Sequence, residues 1–335
     1  MCRDKYLHIP MKKSQILWCA FVLLLLPAAL VSSKPKAPTR AKPGDEQLFE
    51  AIPKQYPFTL IAYGDLRTTN LFNHLVTDPD RRRALIARIA AEKPALLMVN
   101  GDLVYRGGSE HDWREFEKET QSWRDAKIKV LPAIGNHETW QDSGVQHYLK
   151  QFPYLEGRRW YSVRYGNVLT MTLDSESDDT PGSAQWDWIV SQLDHVPAEV
   201  QFIIFVMHHP PYTRSIHHLF GGGHEARQSE QHLAELFEAK QKQLRARILV
   251  IASHVHNYER YEHNGVMYVV SGGGGASPYT VERQPGDFYN QPGPTYHYCK
   301  ITVDHNKLKF EMIKLEGADE RFVFNVRDSF ELSVK

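Results

Sequence analysis

Cysteine is nearly absent from this 335-residue chain, which holds three thiols, Cys2, Cys19 and Cys299, with no zinc-ribbon spacing among them. Two lie in the amino-terminal segment, so removal of that segment leaves one thiol and excludes an internal disulfide framework. An excess of either charge is missing too: 40 lysines and arginines balance 40 aspartates and glutamates. Net charge therefore gives the chain no grip on nucleic acid or a membrane surface, and no stable nucleic-acid partner is expected. No internal repeat is evident. What is present is 42% hydrophobic residues, enough for a sizeable core in one large domain or two ordinary ones.

At the amino terminus, Lys12-Lys13 precede an apolar stretch from Ile16 to about Leu30, then the small residues Val31-Ser32-Ser33. That is the charge, core and cleavage-site order of a secretory signal. Residues 1–33 are expected to be a signal peptide, with Met11 an alternative start, and the product to be secreted or periplasmic. The run is short for a spanning helix. An uncleaved membrane anchor is the second reading and a buried helix the third; no integral span is expected after signal removal. Residues 34–54 read as a linker, with prolines and charges typical of a tether.

Beyond it, five apolar runs each end in polar residues. Phe58-Thr59-Leu60-Ile61-Ala62-Tyr63 leads into Gly64-Asp65, Ala95-Leu96-Leu97-Met98-Val99 into Asn100-Gly101-Asp102, and Val130-Leu131-Pro132-Ala133-Ile134 into Gly135-Asn136-His137-Glu138. Phe202-Ile203-Ile204-Phe205-Val206-Met207 ends in His208-His209-Pro210-Pro211, and Ile248-Leu249-Val250-Ile251-Ala252 in Ser253-His254-Val255-His256. Runs of this length read as buried strands. At the carboxyl edge of an α/β sheet their ends converge. Helices are expected from Asp78-Pro79 to Lys93, over 110–125, over 183–194 and over 228–242. The strand, helix, strand, helix, strand order predicts parallel pairing. Further strands are read at 160–163, 168–173 and 266–270, and antiparallel edge strands at 299–303, 307–313 and 322–326. The expected fold class is α/β, with two packed mixed β-sheets flanked by helices in an α/β/β/α sandwich.

Carboxylates, an amide and imidazoles brought to one rim cannot all be buried uncompensated, and a pair of metal ions resolves the conflict. The glycines at 272–275 tempt a phosphate-cradle reading. No helix start and no Lys-Ser/Thr follow them, which favours a tight turn at a metal site.

Gly64-Asp65, Gly101-Asp102-Leu103-Val104-Tyr105, Gly135-Asn136-His137-Glu138, Val206-Met207-His208 and Ser253-His254-Val255-His256 together resemble the five blocks of calcineurin-like metallophosphoesterases. The Tyr105 spacing is similar to that of the purple acid phosphatase branch. The resemblance implies that residues 55–335 form one metallophosphoesterase catalytic domain. It places Asp65, Asp102, Tyr105 and His256 around one metal and Asp102, Asn136, His208 and His254 around the other, with Asp102 bridging. Oxygen and imidazole donors suit iron paired with zinc, manganese or iron. The implied activity is hydrolysis of small-molecule phosphate monoesters by a metal-held hydroxide attacking phosphorus. A diesterase using the same site, on cyclic nucleotides or nucleic acid, is the alternative, and a non-catalytic exported binding protein on the same fold is the third reading.

Arg67 departs from the pattern, since the wider superfamily has histidine there and arginine cannot be a ligand. Tyr105 then either binds metal as phenolate or packs at a strand exit. Arg67 either grips substrate phosphate as a fork or forms a structural salt bridge. His137, His217 and His218 are candidates for substrate contact and proton delivery. His209 is expected to support a neighbouring ligand, and His224 to lie on a loop bordering the cleft.

Overall fold

Side-chain alternation sorts the apolar runs into two walls. In the computed structural model, which describes residues 47–70, 73–215, 224–318 and 321–334, thirteen strands form two sheets. In chain order they are β1 (Phe49–Ala51), β2 (Phe58–Tyr63), β3 (Leu96–Val99), β4 (Lys129–Pro132), β5 (Tyr161–Tyr165), β6 (Val168–Thr172) and β7 (Phe202–Val206). There follow β8 (Arg247–Ala252), β9 (Tyr258–His263), β10 (Val266–Ser271), β11 (His297–Asp304), β12 (Lys307–Glu316) and β13 (Val323–Ser333). One sheet has the order β13-β12-β11-β2-β3-β4 and the other β1-β5-β6-β7-β8-β10-β9. Strands β2, β3 and β4 pair in parallel, as the alternating strand and helix pattern predicts, and β7 lies parallel to β8.

In β7, Phe202, Ile204 and Val206 join the core between the sheets, while Ile203 and Phe205 face outward with Met207. Helices α7 (Ala184–Asp194) and α8 (Gln228–Gln241) cover that outer face with Ile189, Leu193, Leu233 and Phe237. Over the other sheet, α2 (Pro79–Glu92) contributes Leu85, Ile86 and Ile89 to the core. The shorter helices are α1 (Asn73–Val76), α3 (Glu110–Glu119), α4 (Gln121–Asp125), α5 (Asn136–Thr139) and α6 (Gly144–Gln151). The α/β/β/α sandwich is thus present. Cys299 lies on β11, fully buried, with Ser271 Oγ 3.3 Å from its sulfur.

Helix α2 starts as its sequence dictates: Asp78 caps it, its side chain accepting from the Arg81 N–H, and Pro79 takes the first position. Buried Arg82 then grips Glu119 with two bonds of 2.7 and 2.9 Å and donates to the Leu66 carbonyl, fixing the loop after β2.

Four expectations change. The single helix over 110–125 is two, because the Thr120 hydroxyl bonds back to the Phe116 carbonyl at 2.6 Å and the backbone leaves helical geometry. The linker reading of 34–54 fails at its end, where β1 pairs with β5 and Leu48 and Phe49 pack on the core. Burial of those two side chains outweighs the tether-like composition before them. The edge strand read at 322–326 extends to Ser333 along the whole of β12. Strand β9 was not anticipated; it turns into β10 through Asn264-Gly265, both at positive φ, the two-residue hairpin signature. The signal segment, 1–33, lies outside the described residues.

Phe205 is fully buried and stacks on Phe237 with ring centroids 3.9 Å apart. Phe205→Ala is expected to lower unfolding stability by about 3–5 kcal/mol, read as a fall in the urea midpoint at unchanged slope.

Candidate metal centre

The five runs deliver their polar ends to one seam, three from the sheet of β2, β3 and β4 and two from that of β7 and β8. At the seam the chain bends sharply. Asp65, Arg67, Asp102 and His254 take φ values of 58°, 47°, 53° and 66°, a region that costs a non-glycine residue about 1–3 kcal/mol. Main-chain bonds hold these bends: Asp65 N–H to the Gly101 carbonyl at 3.1 Å, Arg67 N–H to Asp102 at 2.8 Å, and Ser253 N–H to His208 at 2.9 Å. Gly101, at φ 93°, has no room for a side chain, since a Cβ there would stand 2.5 Å from His208 Nδ1.

Two donor groups result. In the first, ligand atoms of Asp65, Asp102 and His256 lie within 4.8 Å of one another. Asp65 Oδ1 and His256 Nε2 are buried, 3.5 Å apart, and neither has a hydrogen-bond partner among the described residues. Unpaired buried acceptors facing each other call for a cation between them. In the second, Asn136 Oδ1 is 3.0 Å from His208 Nε2 and 3.1 Å from His254 Nδ1, while His208 Nε2 is 3.1 Å from His254 Nδ1 and 3.3 Å from Asp102 Oδ1. Donors about 2.0–2.2 Å from one cation stand roughly 3.0–3.5 Å apart, so this spacing matches a coordination shell. Asp102 of the first group thus adjoins the second.

Protonation agrees. The Nδ1 of His208 meets the Asn100 carbonyl at 3.0 Å and that of His256 the Ser277 carbonyl at 2.7 Å. A carbonyl only accepts, so each Nδ1 carries the proton and each Nε2 is left bare for a metal. Burial pushes His254 well below its ordinary value, with the surrounding imidazoles adding to it, and lowers His256 with help from Arg67. Burial works against the charge on Asp102, yet His208, His137 and Arg67 hold its carboxyl below the usual range. Unprotonated His254 and His256 beside an ionised Asp102 fit oxygen- and nitrogen-preferring metals.

Beneath Asp102 lies a support that sequence reasoning did not assign. Glu138 is fully buried, and its carboxylate accepts from four main-chain N–H groups: Gly135 at 2.9 Å, Asp102 at 3.0 Å, Leu103 at 2.9 Å and Val104 at 3.3 Å. It thereby locks the loop of Asp102 to that of Asn136. An acidic residue directly after an Asn-His pair was the available signal.

The other site candidates divide. Arg67 Nε bonds Asp102 Oδ2 at 3.1 Å, which realises the salt bridge. His137 donates from Nδ1 to the Tyr105 carbonyl at 2.5 Å, leaving Nε2 3.8 Å from Asp102 Oδ2. Tyr105 is half-buried, its ring 5.2 Å from that of His137. His209 flanks His254 at 4.0 Å, its Nδ1 3.1 Å from both Ser175 Oγ and Glu176 Oε1, and it forms with His208 and His254 a trio whose donor atoms lie within 4.8 Å of one another. His224 borders the cleft, 4.2 Å from the ring of His254. His217 and His218 lie outside the described residues. The glycine run packs directly on the first donor group: a Cβ on Gly272 would meet Asp65 Oδ2 at 2.7 Å. Tyr279, just past that run, is a second residue that sequence reasoning missed. Its ring lies over His256 at 4.0 Å, near enough to Arg67 for that charge to act on its phenol.

Comparison with known proteins gives a family model, calcineurin-like phosphoesterase, that matches residues 58–258. A barley protein named nucleotide pyrophosphatase/phosphodiesterase is 28% identical over 255 residues, 64% of this chain and 67% of the relative. An Arabidopsis thaliana protein named probable purple acid phosphatase 20 is 23% identical, covering 68% of this chain and 54% of its own length. The structure of a purple acid phosphatase from yellow lupin seeds superposes with a TM-score of 0.66 at 22% identity, over 84% of this chain and 54% of that one. The chain thus spans between about half and two thirds of these relatives.

Glu138→Gln turns an acceptor of four N–H groups into a side chain that must aim its own amide at some of them. The expected loss is about 3 kcal/mol or more, with a matching fall in bound metal per chain; a variant with unchanged urea midpoint and metal content would remove Glu138 from this role.

Proposed function

The chain belongs to the calcineurin-like phosphoesterase family, and from that premise we propose that it is an exported dinuclear-metal phosphatase acting on phosphate monoesters. The observation that carries the proposal is the pair of adjoining donor groups, Asp102 of the first standing 3.3 Å from His208 of the second, with Asp65 Oδ1 and His256 Nε2 of the first unpartnered among the described residues. The likeness to the purple acid phosphatase of lupin supports the fold, and the Arabidopsis relative supports the branch. Iron paired with zinc, manganese or iron, held by Asp65, Asp102, Tyr105 and His256 and by Asp102, Asn136, His208 and His254, would supply Lewis acidity and an activated water.

This chain's own groups do the rest. The site is buried, so each fixed charge acts on the phosphate in a low dielectric. Asp102 holds negative charge on one side, and the Arg67 guanidinium, fixed by Asp102, stands ready to pair with a phosphate oxygen. The Nε2 of His137 lies on the Asp102 side, where it contacts substrate. His137, His217 and His218 are the imidazoles assigned to deliver the proton that the leaving oxygen needs.

A diesterase reading of the same site is favoured by one observation, the name of the barley relative. A non-catalytic binding role on the same fold is disfavoured by the two clusters of buried donors that could each hold a metal. The export proposal rests on the order of charged, apolar and small residues in 1–33; no helix among the described residues is long and apolar enough to cross a membrane.

Chelation of the metals is expected to abolish hydrolysis of 4-nitrophenyl phosphate, and added iron with zinc to restore it. In parallel assays the monoester should be preferred to bis(4-nitrophenyl) phosphate; a large diester preference decides for the alternative. Arg67→Ala should raise KM for phosphate esters about tenfold or more, and an unchanged KM leaves Arg67 only its salt bridge. Iron-loaded protein should show a visible charge-transfer band that Tyr105→Phe removes, and a band that survives that substitution excludes Tyr105 as ligand.

A further inference from the structure

One aromatic ring away from the first donor group lies a cavity of about 890 Å³. Tyr279 is the shared wall. It lines the cavity, and its ring is nearly parallel to that of His256, 24° between planes with centroids 4.0 Å apart. Burial raises its phenol and the nearby Arg67 charge opposes that, so a molecule in the cavity touches a side chain that feels the active-site cation.

Charge in this cavity is unbalanced. Three cations line it, Arg81, Arg283 and Lys314, against one carboxylate, Glu316, among the described residues. Arg81 is paired with Asp78, and Glu316 is engaged by Arg327. Neither Arg283 nor Lys314 has a carboxylate within salt-bridge distance among the described residues. Arg283 is instead fixed by neutral acceptors, the carbonyls of Tyr258 at 3.0 Å and Tyr289 at 3.3 Å and Asn257 Oδ1 at 2.9 Å. Asn257 directly follows His256, so this guanidinium is anchored to the metal-ligand loop. Lys314 is destabilised as a cation: burial lowers its affinity for a proton, and repulsion from Arg327 and Arg283 adds to that against the pull of Glu316. Two cations line one cavity whose single carboxylate, Glu316, is already shared with Arg327, which leaves the lining with positive charge to spare for an anion.

We propose that this cavity is an anion subsite of the active centre, in which Lys314 and Arg283 bind an anionic oxygen group carried by the leaving portion of the substrate. The inference rests on the phosphatase reading and narrows its substrates to phosphate esters bearing a second anionic group, a carboxylate or a further phosphate, on the far side of Tyr279. An ester with an uncharged leaving group engages the metal centre alone and leaves the cavity empty. Lys314 belongs to neither metal group, so its removal is directed at the second anion.

The test is kcat/KM of the metal-reconstituted full chain on 4-nitrophenyl phosphate, 3-phosphoglycerate and ADP, for wild type, Lys314→Gln and Lys314→Arg. Lys314→Gln should lower kcat/KM at least about tenfold on a doubly anionic ester while 4-nitrophenyl phosphate stays within about twofold. Lys314→Arg should recover most of the loss. A drop confined to 3-phosphoglycerate identifies the carboxylate source, and one confined to ADP the phosphate. Equal losses on all three esters, or none, overturn the subsite. If wild type hydrolyses none of them, the phosphatase reading falls instead. Calorimetric titration of 3-phosphoglycerate and ADP then decides the cavity alone: weaker binding to Lys314→Gln supports it, and equal or absent binding sinks it.

Discussion

The carboxylate of Glu138 is the constraint on which the centre depends. Two loops, one carrying Asp102 and one carrying Asn136, leave parallel strands of the same sheet with main-chain N–H groups unspent. One buried side chain accepts from four of them. Without that acceptor the donors would be stranded away from water, at a cost near 1–3 kcal/mol each. Asp102 stays in its left-handed conformation because the main chain around it has nowhere else to place its hydrogen bonds. The imidazoles then close on a carboxylate that is already immobile.

The second constraint is the seam between the sheets. Neither wall alone offers a complete donor set: β2, β3 and β4 end in oxygen donors and β7 and β8 in nitrogen donors. Hydrophobic packing between the walls is therefore also what brings carboxylates to imidazoles. Carbonyls behind the rings set their tautomers, so the nitrogens that face the seam are the ones able to bind a cation.

The sequence made the strands and donors legible because each donor directly follows an uninterrupted apolar run, as in Phe202 to His208. Strand assignments were sound wherever both faces were buried. Reasoning missed what depends on partners distant in the chain. The break at Thr120 needs a side-chain bond that composition does not show. Strand β1 forms because β5 offers it an edge. The Asn264-Gly265 pair is a readable turn signal, but the strand before it, Tyr258–His263, is mostly polar and charged and carries no apolar run. Tyr279 carried no sequence signal; only folding stacks it on His256. Arg67 kept two meanings in the sequence because a guanidinium pairs equally well with a neighbouring carboxylate and with a phosphate.

The solitary thiol of the folded region gives the molecule a built-in clock. Cys299 is enclosed on the central strand of its sheet, and burial raises its ionisation to about 12, so almost no thiolate exists in the native state at neutral pH. Local fraying at β13 or at the loops leaves it covered, because β2 and β12 flank it on both sides. Alkylation of this sulfur therefore requires the separation of the central strands, and its rate counts whole-sheet openings.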